Sequence, residues 1–167
     1  MTAPPADLRR AYVGLGSNVA PASHLRRALD ELTVRFGPIE RSPVCSSAAV
    51  GYDGPDYWNL CVGFDTSLTA AALVARLKAM ERRLGRAAGE LRLAPKSIDA
   101  DLLLLGDLRS SSPPLPHPEI LTRAYVLGPL AMLAPERILP GHETTVGELW
   151  KNFPGADALT VLRPDPL

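Results

Sequence analysis

Between residues 11 and 105 the hydrophobic pattern alternates between a period of two and a period of 3.6, and this alternation restricts the fold more than any other feature. Ala11–Leu15 is a short apolar strand, broken by the turn chemistry of Gly16-Ser17-Asn18. Leu25, Ala28, Leu29, Leu32 and Phe36 share one helical face, which predicts a helix over 24–36 with Ser23 as its cap and Gly37-Pro38 as its stop. Residues 39–48 read as a strand interrupted at Pro43, and 50–56 as a loop. Residues 58–65 then alternate, with Leu60, Val62 and Phe64 on one side and Asn59, Cys61 and Gly63 on the other. Thr69 is placed to cap a second helix over 70–84, striped by Leu73, Leu77, Met80 and Leu84 and closed by Gly85. Ser97–Leu105 is the strongest strand. The order is β-α-β-β-α-β, which predicts an α+β fold: a ferredoxin-like sandwich in which helices pack on one face of an antiparallel sheet.

Residues 1–9 read as a loose arm, and 106–167 as a C-terminal extension. The extension is expected to hold a proline-rich loop, a strand near 123–127, a helical turn near 129–134 and a helix near 145–152. There is no internal repeat or low-complexity linker, so one domain is expected over 1–167, with its core at about 11–153.

Charge narrows the function. Eighteen basic residues balance eighteen acidic ones in a chain of 167, which argues against a broad nucleic-acid surface. No apolar run approaches the roughly 18–20 residues of a membrane span, and the N-terminus lacks a charged-then-apolar signal pattern. Cys45 and Cys61 fall in strand-like runs, without a partner at metal-ligand spacing, and read as buried thiols of a cytoplasmic protein.

Asp99 and Asp101 are the sharpest chemical feature. On a strand they share one face, with Cα atoms about 6.5–7 Å apart, while Ile98, Ala100, Leu102 and Leu104 take the other. Such oxygen pairs suit Mg²⁺, which bridges substrate phosphates, and two ions can clamp a triphosphate. Taken alone, the pair is a weak signal and reads more readily as a solvated strand edge. Arg76, Lys78, Arg82, Arg83, Arg86, Arg92 and Lys96 crowd the preceding segment. The first four read as the solvent face of the second helix. The last three lie past it, better placed for phosphate. His117 stands between two prolines and Arg123 follows; each can serve a phosphate or simply the fold. His24 and His142 read as surface residues.

Together these segments resemble the 6-hydroxymethyl-7,8-dihydropterin pyrophosphokinases. The resemblance is carried by Tyr12-Val-Gly-Leu-Gly-Ser-Asn18, Pro55-Asp-Tyr-Trp-Asn59, Glu81 with Gly85-Arg86, Ala94-Pro-Lys-Ser-Ile-Asp-Ala-Asp101, and Leu115-Pro-His-Pro118 with Arg123-Ala-Tyr-Val-Leu127. It implies transfer of pyrophosphate from ATP to the hydroxymethyl group of a reduced pterin, giving AMP, within folate biosynthesis. It further implies Asp99 and Asp101 as ligands of two Mg²⁺ ions, and Lys96 and Arg86 as phosphate-stabilising groups. Glu81, His117 and Arg123 would serve the nucleotide, and Tyr57, Asn59 and Tyr125 the pterin. A cytoplasmic monomer with small-molecule substrates, and neither nucleic acid nor membrane as partner, is implied as well. The chain departs from the family pattern: Lys96 replaces the usual Arg, Ala100 a Leu or Ile, Ala94 a Gly, Leu93 an aromatic ring, and Ala88 a loop cation found in some members. Lys lacks the two-pronged fork of Arg. The alternatives are a paralogue acting on a modified pterin, a non-catalytic nucleotide- or pterin-binding module, and a sugar-nucleotide transferase built on Asp-x-Asp.

Overall fold

The computed structural model describes residues 7–85 and 95–167. Its strands are β1 (Arg9–Ser17), β2 (Glu40–Arg41), β3 (Cys45–Ser47), β4 (Tyr57–Thr66), β5 (Asp99–Leu105), β6 (Ser110–Ser111), β7 (Pro114–Leu115) and β8 (Thr160–Val161). Its α-helices are α1 (Pro21–Phe36), α2 (Ala70–Arg83), α3 (Ala124–Leu133) and α4 (Val146–Lys151). The main sheet runs β5-β1-β4-β3-β8, with β2 also on β4. Its pairings are antiparallel throughout. The expected β-α-β-β-α-β core is present, and Pro43 does split its second strand into β2 and β3.

The α1 and α2 stripes build the first core. Leu25, Ala28 and Leu32 of α1, and Leu73, Leu77 and Met80 of α2, pack with Val13, Leu15, Leu60, Val62 and Phe64 of the sheet. Thr69 caps α2 by accepting from the Ala72 N–H at 3.2 Å. Gly37, with φ 78°, and Gly85, with φ 103°, terminate the two helices in backbone conformations that favour glycine. The start of α1 differs from expectation. Ser23 does not cap it; the helix opens at Pro21, after a left-handed Ala20 with φ 42°. A proline in the first turn sacrifices no helical hydrogen bond, because that N–H has no intrahelical acceptor.

Two further differences matter for the site. The strand expected near 123–127 is the first half of α3. Ala124–Leu133 is apolar nearly throughout. A continuous run carries no period to separate strand from helix, and its ten residues suit a helix better. This helix covers the sheet's second face, so helices lie on both faces rather than one. Cys61, Leu103 and Leu104 of the sheet pack there with Leu127, Leu130, Ala131 and Val146. Gly128 permits the close fit, since a Cβ there would meet Leu159 Cδ2 at 2.4 Å and Trp150 Cη2 at 2.9 Å. The second difference is a β-bulge. Val13 pairs with Leu102 but Tyr12 with Leu104, so Leu103 is the extra residue. Beyond it the alternation inverts: Leu104 joins the second core instead of the Ile98–Leu102 face, and Leu105 joins the first.

The arm is shorter than expected, because Arg9 already belongs to β1. The C-terminal residues close the far edge of the sheet. β8 pairs with β3, and Arg41 holds Asp165 through two bonds of 3.0 Å. Those bonds, with the Val44 and Leu167 N–H groups, keep the Asp165 carboxyl below the usual range.

One side chain ties the mouth of β1 to its neighbours. Asn18 Nδ2 donates to the Tyr52 hydroxyl at 2.9 Å and to the Pro55 carbonyl at 3.0 Å. Its Oδ1 accepts from the Lys96 N–H at 2.8 Å, and its own N–H donates to the Lys96 carbonyl at 3.1 Å. Asn18 is 5% exposed, so these groups cannot turn to water instead. Asn18→Ala should cost about 2–3 kcal/mol in urea unfolding, as several buried bonds go and the Lys96 N–H loses its acceptor. Amides of residues 51–56 should then exchange faster. An unchanged unfolding midpoint would show that the clamp carries no weight.

Candidate active site

The C-terminal end of β1 meets the starts of β4 and β5, and the pairing fixes who sits beside whom. Gly16 pairs with Asn59 of β4 on one side and with Asp99 of β5 on the other. Gly14 pairs in the same way with Cys61 and Asp101. Residues directly opposite one another project from the same face. Asp99 and Asn59 therefore stand on one face, about 9–10 Å apart across two strand spacings, with a glycine between them. A Cβ on Gly16 would lie 3.2 Å from Asn59 Oδ1. The missing side chains at Gly14 and Gly16 bring backbone to the floor, with Leu103 packed beside Gly14.

Over this floor opens a cavity of about 330 Å³, within the range of small-ligand sites. Lys96, Asp99 and Asp101 line it from the β5 side, and Tyr57 and Asn59 from the β4 side. His117 and Glu119 border it from the turn before α3, and Arg123, Tyr125 and Val126 from the start of α3. Eight of the ten expected site residues thus share one cavity wall. Arg86 falls outside the described residues, as do Ala88, Leu93 and Ala94. Glu81 is not on the wall. It is 5% exposed and stands behind β5, where its Oε1 accepts from the Ala100 N–H at 2.8 Å.

Local chemistry suits an anion on one side and a flat polar ligand on the other. His117 Nδ1 accepts from the Glu119 N–H at 3.2 Å. A neutral ring so engaged carries its proton on Nε2, which is left as a donor. Arg123 is the N-cap of α3, where the positive end of the helix dipole adds to its charge. Lys96 is only 6% exposed, a cation that the fold holds against the cavity rather than in bulk solvent. Asn59 Nδ2 donates to Ser47 Oγ at 2.8 Å. Burial, then the neighbouring Glu119, raises the Tyr125 pKa above its ordinary value, so its ring stays a neutral phenol. Burial likewise raises Glu81, against the opposing bonds from Lys78 and Ala100.

Sequence reasoning missed several of these groups. Tyr52 and Ser47 line the cavity and brace Tyr57 and Asn59; the two tyrosine hydroxyls are 3.0 Å apart. Loop positions carry no period, and only the spacing Tyr52-x₄-Tyr57 hints at the pair. Lys78, read as solvent face, instead reaches β5: its Nζ lies 2.9 Å from Glu81 Oε1, 3.1 Å from the Ala100 carbonyl and 3.4 Å from Asp101 Oδ1. Arg83, by contrast, stays outside and pairs with Glu31 at 2.7 Å.

The donor set fits Mg²⁺ that arrives with a polyphosphate. Asp99 and Asp101 offer hard oxygen ligands at the cavity wall. Among the described residues no group of three or more acidic, His or Cys side chains forms a cage. Mg²⁺ is typically held by one or two carboxylates, with phosphate oxygens and waters completing its shell.

Comparison with known proteins shows the family. Residues 12–135 match the family described as 7,8-dihydro-6-hydroxymethylpterin-pyrophosphokinase. The 2-amino-4-hydroxy-6-hydroxymethyldihydropteridine pyrophosphokinase of Synechocystis sp. is 34% identical, over 96% of this chain and 89% of its own. The protein of the same name from Pseudomonas aeruginosa is 38% identical, over 80% of this chain and 85% of its own. In fold, the chain is similar to the Plasmodium falciparum HPPK-DHPS crystallised with pteroate, with a TM-score of 0.71 at 13% identity. That alignment covers 91% of this chain and spans 43% of the longer parasite chain. By sequence, over nearly its whole length, the chain belongs to the 7,8-dihydro-6-hydroxymethylpterin-pyrophosphokinase family.

Proposed function

We propose that this protein transfers pyrophosphate from ATP to the hydroxymethyl group of 6-hydroxymethyl-7,8-dihydropterin, as a step of folate biosynthesis. The observation that carries the reading is the row Asp99–Gly16–Asn59, which sets a carboxylate and an amide on either side of a glycine floor. In the reaction the pterin hydroxymethyl oxygen bonds to the β-phosphorus. The bond from that phosphorus to the α,β-bridging oxygen breaks, AMP departs, and the alcohol proton is released.

Each wall has a part. Asn59 offers an amide that donates and accepts along the pterin edge, with Tyr57 beside it and Tyr125 stacking on the ring. Lys96, His117 and Arg123 bind the phosphates and hold them in line with the hydroxymethyl oxygen, and Arg86 joins them from the 86–94 segment. Alignment and charge neutralisation are the main demands of such a transfer. Asp99 and Asp101 would hold Mg²⁺, as two ions. When bound, Mg²⁺ neutralises the triphosphate and lowers the pKa of a coordinated alcohol. Glu81 acts on the nucleotide side through the Ala100 N–H rather than by touching ATP. Two buried, unpaired thiols support a reducing, cytoplasmic setting. Among the described residues no helix is long and apolar enough to cross a membrane.

Two substitutions test the division of labour, with AMP and pterin diphosphate followed as products. Asp101→Asn should lower kcat by about a hundredfold or more, with the circular dichroism spectrum unchanged. A near-native rate would remove the metal role. Asn59→Ala should raise KM for the pterin about tenfold or more while KM for ATP stays close to native. Equal rises in both would contradict the placement of the pterin at Asn59.

A further inference from the structure

The peptide unit between the two aspartates is held from outside the sheet. β5 is an edge strand, and at Ala100 its open edge is met by two side chains of α2. Glu81 Oε1 accepts from the Ala100 N–H at 2.8 Å, and Lys78 Nζ donates to the Ala100 carbonyl at 3.1 Å. Lys78 and Glu81 are themselves joined at 2.9 Å, one helical turn apart. They do for this edge what a neighbouring strand would do, satisfying both polar groups of one residue.

Lys78 does more than complete the edge. Its ammonium lies 3.4 Å from Asp101 Oδ1, with the two side chains 40% and 35% exposed. It therefore stands at the carboxylate a metal ion would use, on a half-buried and weakly screened approach. The geometry gives this cation three oxygen partners, Glu81 Oε1, the Ala100 carbonyl and Asp101 Oδ1.

We propose that Lys78 is a positioning residue of the metal site. It is a resident counter-charge that holds Asp101 in place when no metal is bound and keeps a bare divalent cation from binding tightly, so that metal enters with the nucleotide. The inference rests on the reading of Asp99 and Asp101 as metal ligands. A cation arriving alone meets the positive charge of Lys78 beside its ligand. A cation carried on a triphosphate brings several negative charges that offset it. Lys78 touches neither reacting atom; it acts through Asp101 and through the Ala100 peptide unit.

The test is Mn²⁺ binding followed by electron paramagnetic resonance on the native protein and on Lys78→Gln, Lys78→Arg and Asp101→Asn, without nucleotide and then with a non-hydrolysable ATP analogue. Lys78→Gln keeps a donor for Ala100 and Glu81 but removes the charge. It should bind Mn²⁺ alone about tenfold more tightly than the native protein, with the gain shrinking once the analogue is bound. Lys78→Arg should restore the native value. Native or weaker Mn²⁺ affinity in Lys78→Gln, alongside a loss of affinity in Asp101→Asn, would overturn the counter-charge role and leave the metal site standing. Unchanged Mn²⁺ binding in Asp101→Asn would overturn the metal site, and this inference with it.

Discussion

The register of β1 against its two neighbours decides what the cavity can hold. Because strand side chains alternate, a slip of one residue would turn Asp99, Asp101 and Asn59 toward the α1–α2 core and bring Ala100 and Leu60 to the floor. The register is held on both sides of that floor. Below it, Val13, Leu15, Leu60 and Val62 are locked into the first core. At its mouth, Asn18 fastens β1 to Lys96, just ahead of β5, and to the 52–55 loop, just ahead of β4. The same residue thus braces both walls of the site.

A second constraint follows from α3. An antiparallel sheet with helices on one face would leave Asp99, Asp101 and Asn59 on an open surface. α3 covers the lower part of that face through Leu127, Leu130 and Ala131, and its first turn brings Arg123 and Tyr125 to the rim. What would be a flat surface becomes a cleft with a glycine floor, charged on the β5 side and aromatic on the β4 side. Water is partly excluded, and the remaining donors act at higher strength than they would in bulk solvent.

Much of this was legible in the residues. Period two exposed the Asp99–Asp101 pair and put Asn59 opposite the core. Period 3.6 found α1 and α2 with their buried stripes, and Thr69 marked a true cap. The failures share a physical cause. Ala124–Leu133 is apolar on nearly every side, so its pattern has no period, and packing against the sheet decides that it is a helix. The bulge at Leu103 lies inside Leu102–Leu105, a run of identical residues in which no side chain marks the extra position. Lys78 looks like any charge on an exposed helical face. Only the placement of α2 along the edge of β5 turns it toward the carboxylates. Family resemblance suggested the roles proposed for Tyr57, Tyr125 and His117, which periodicity could not.

The central claim is spatial: metal and triphosphate sit over the Asp99–Asp101 side of the glycine floor, and the pterin sits over the Asn59 side. The most direct measurement is a crystal structure of the protein with Mn²⁺, a non-hydrolysable ATP analogue and the pterin, with Mn²⁺ located by its anomalous signal. The account predicts Mn²⁺ within about 2.0–2.3 Å of oxygens of both Asp99 and Asp101 and the pterin ring edge hydrogen-bonded to Asn59. Mn²⁺ bound away from both carboxylates, or a pterin that leaves Asn59 untouched, would contradict it.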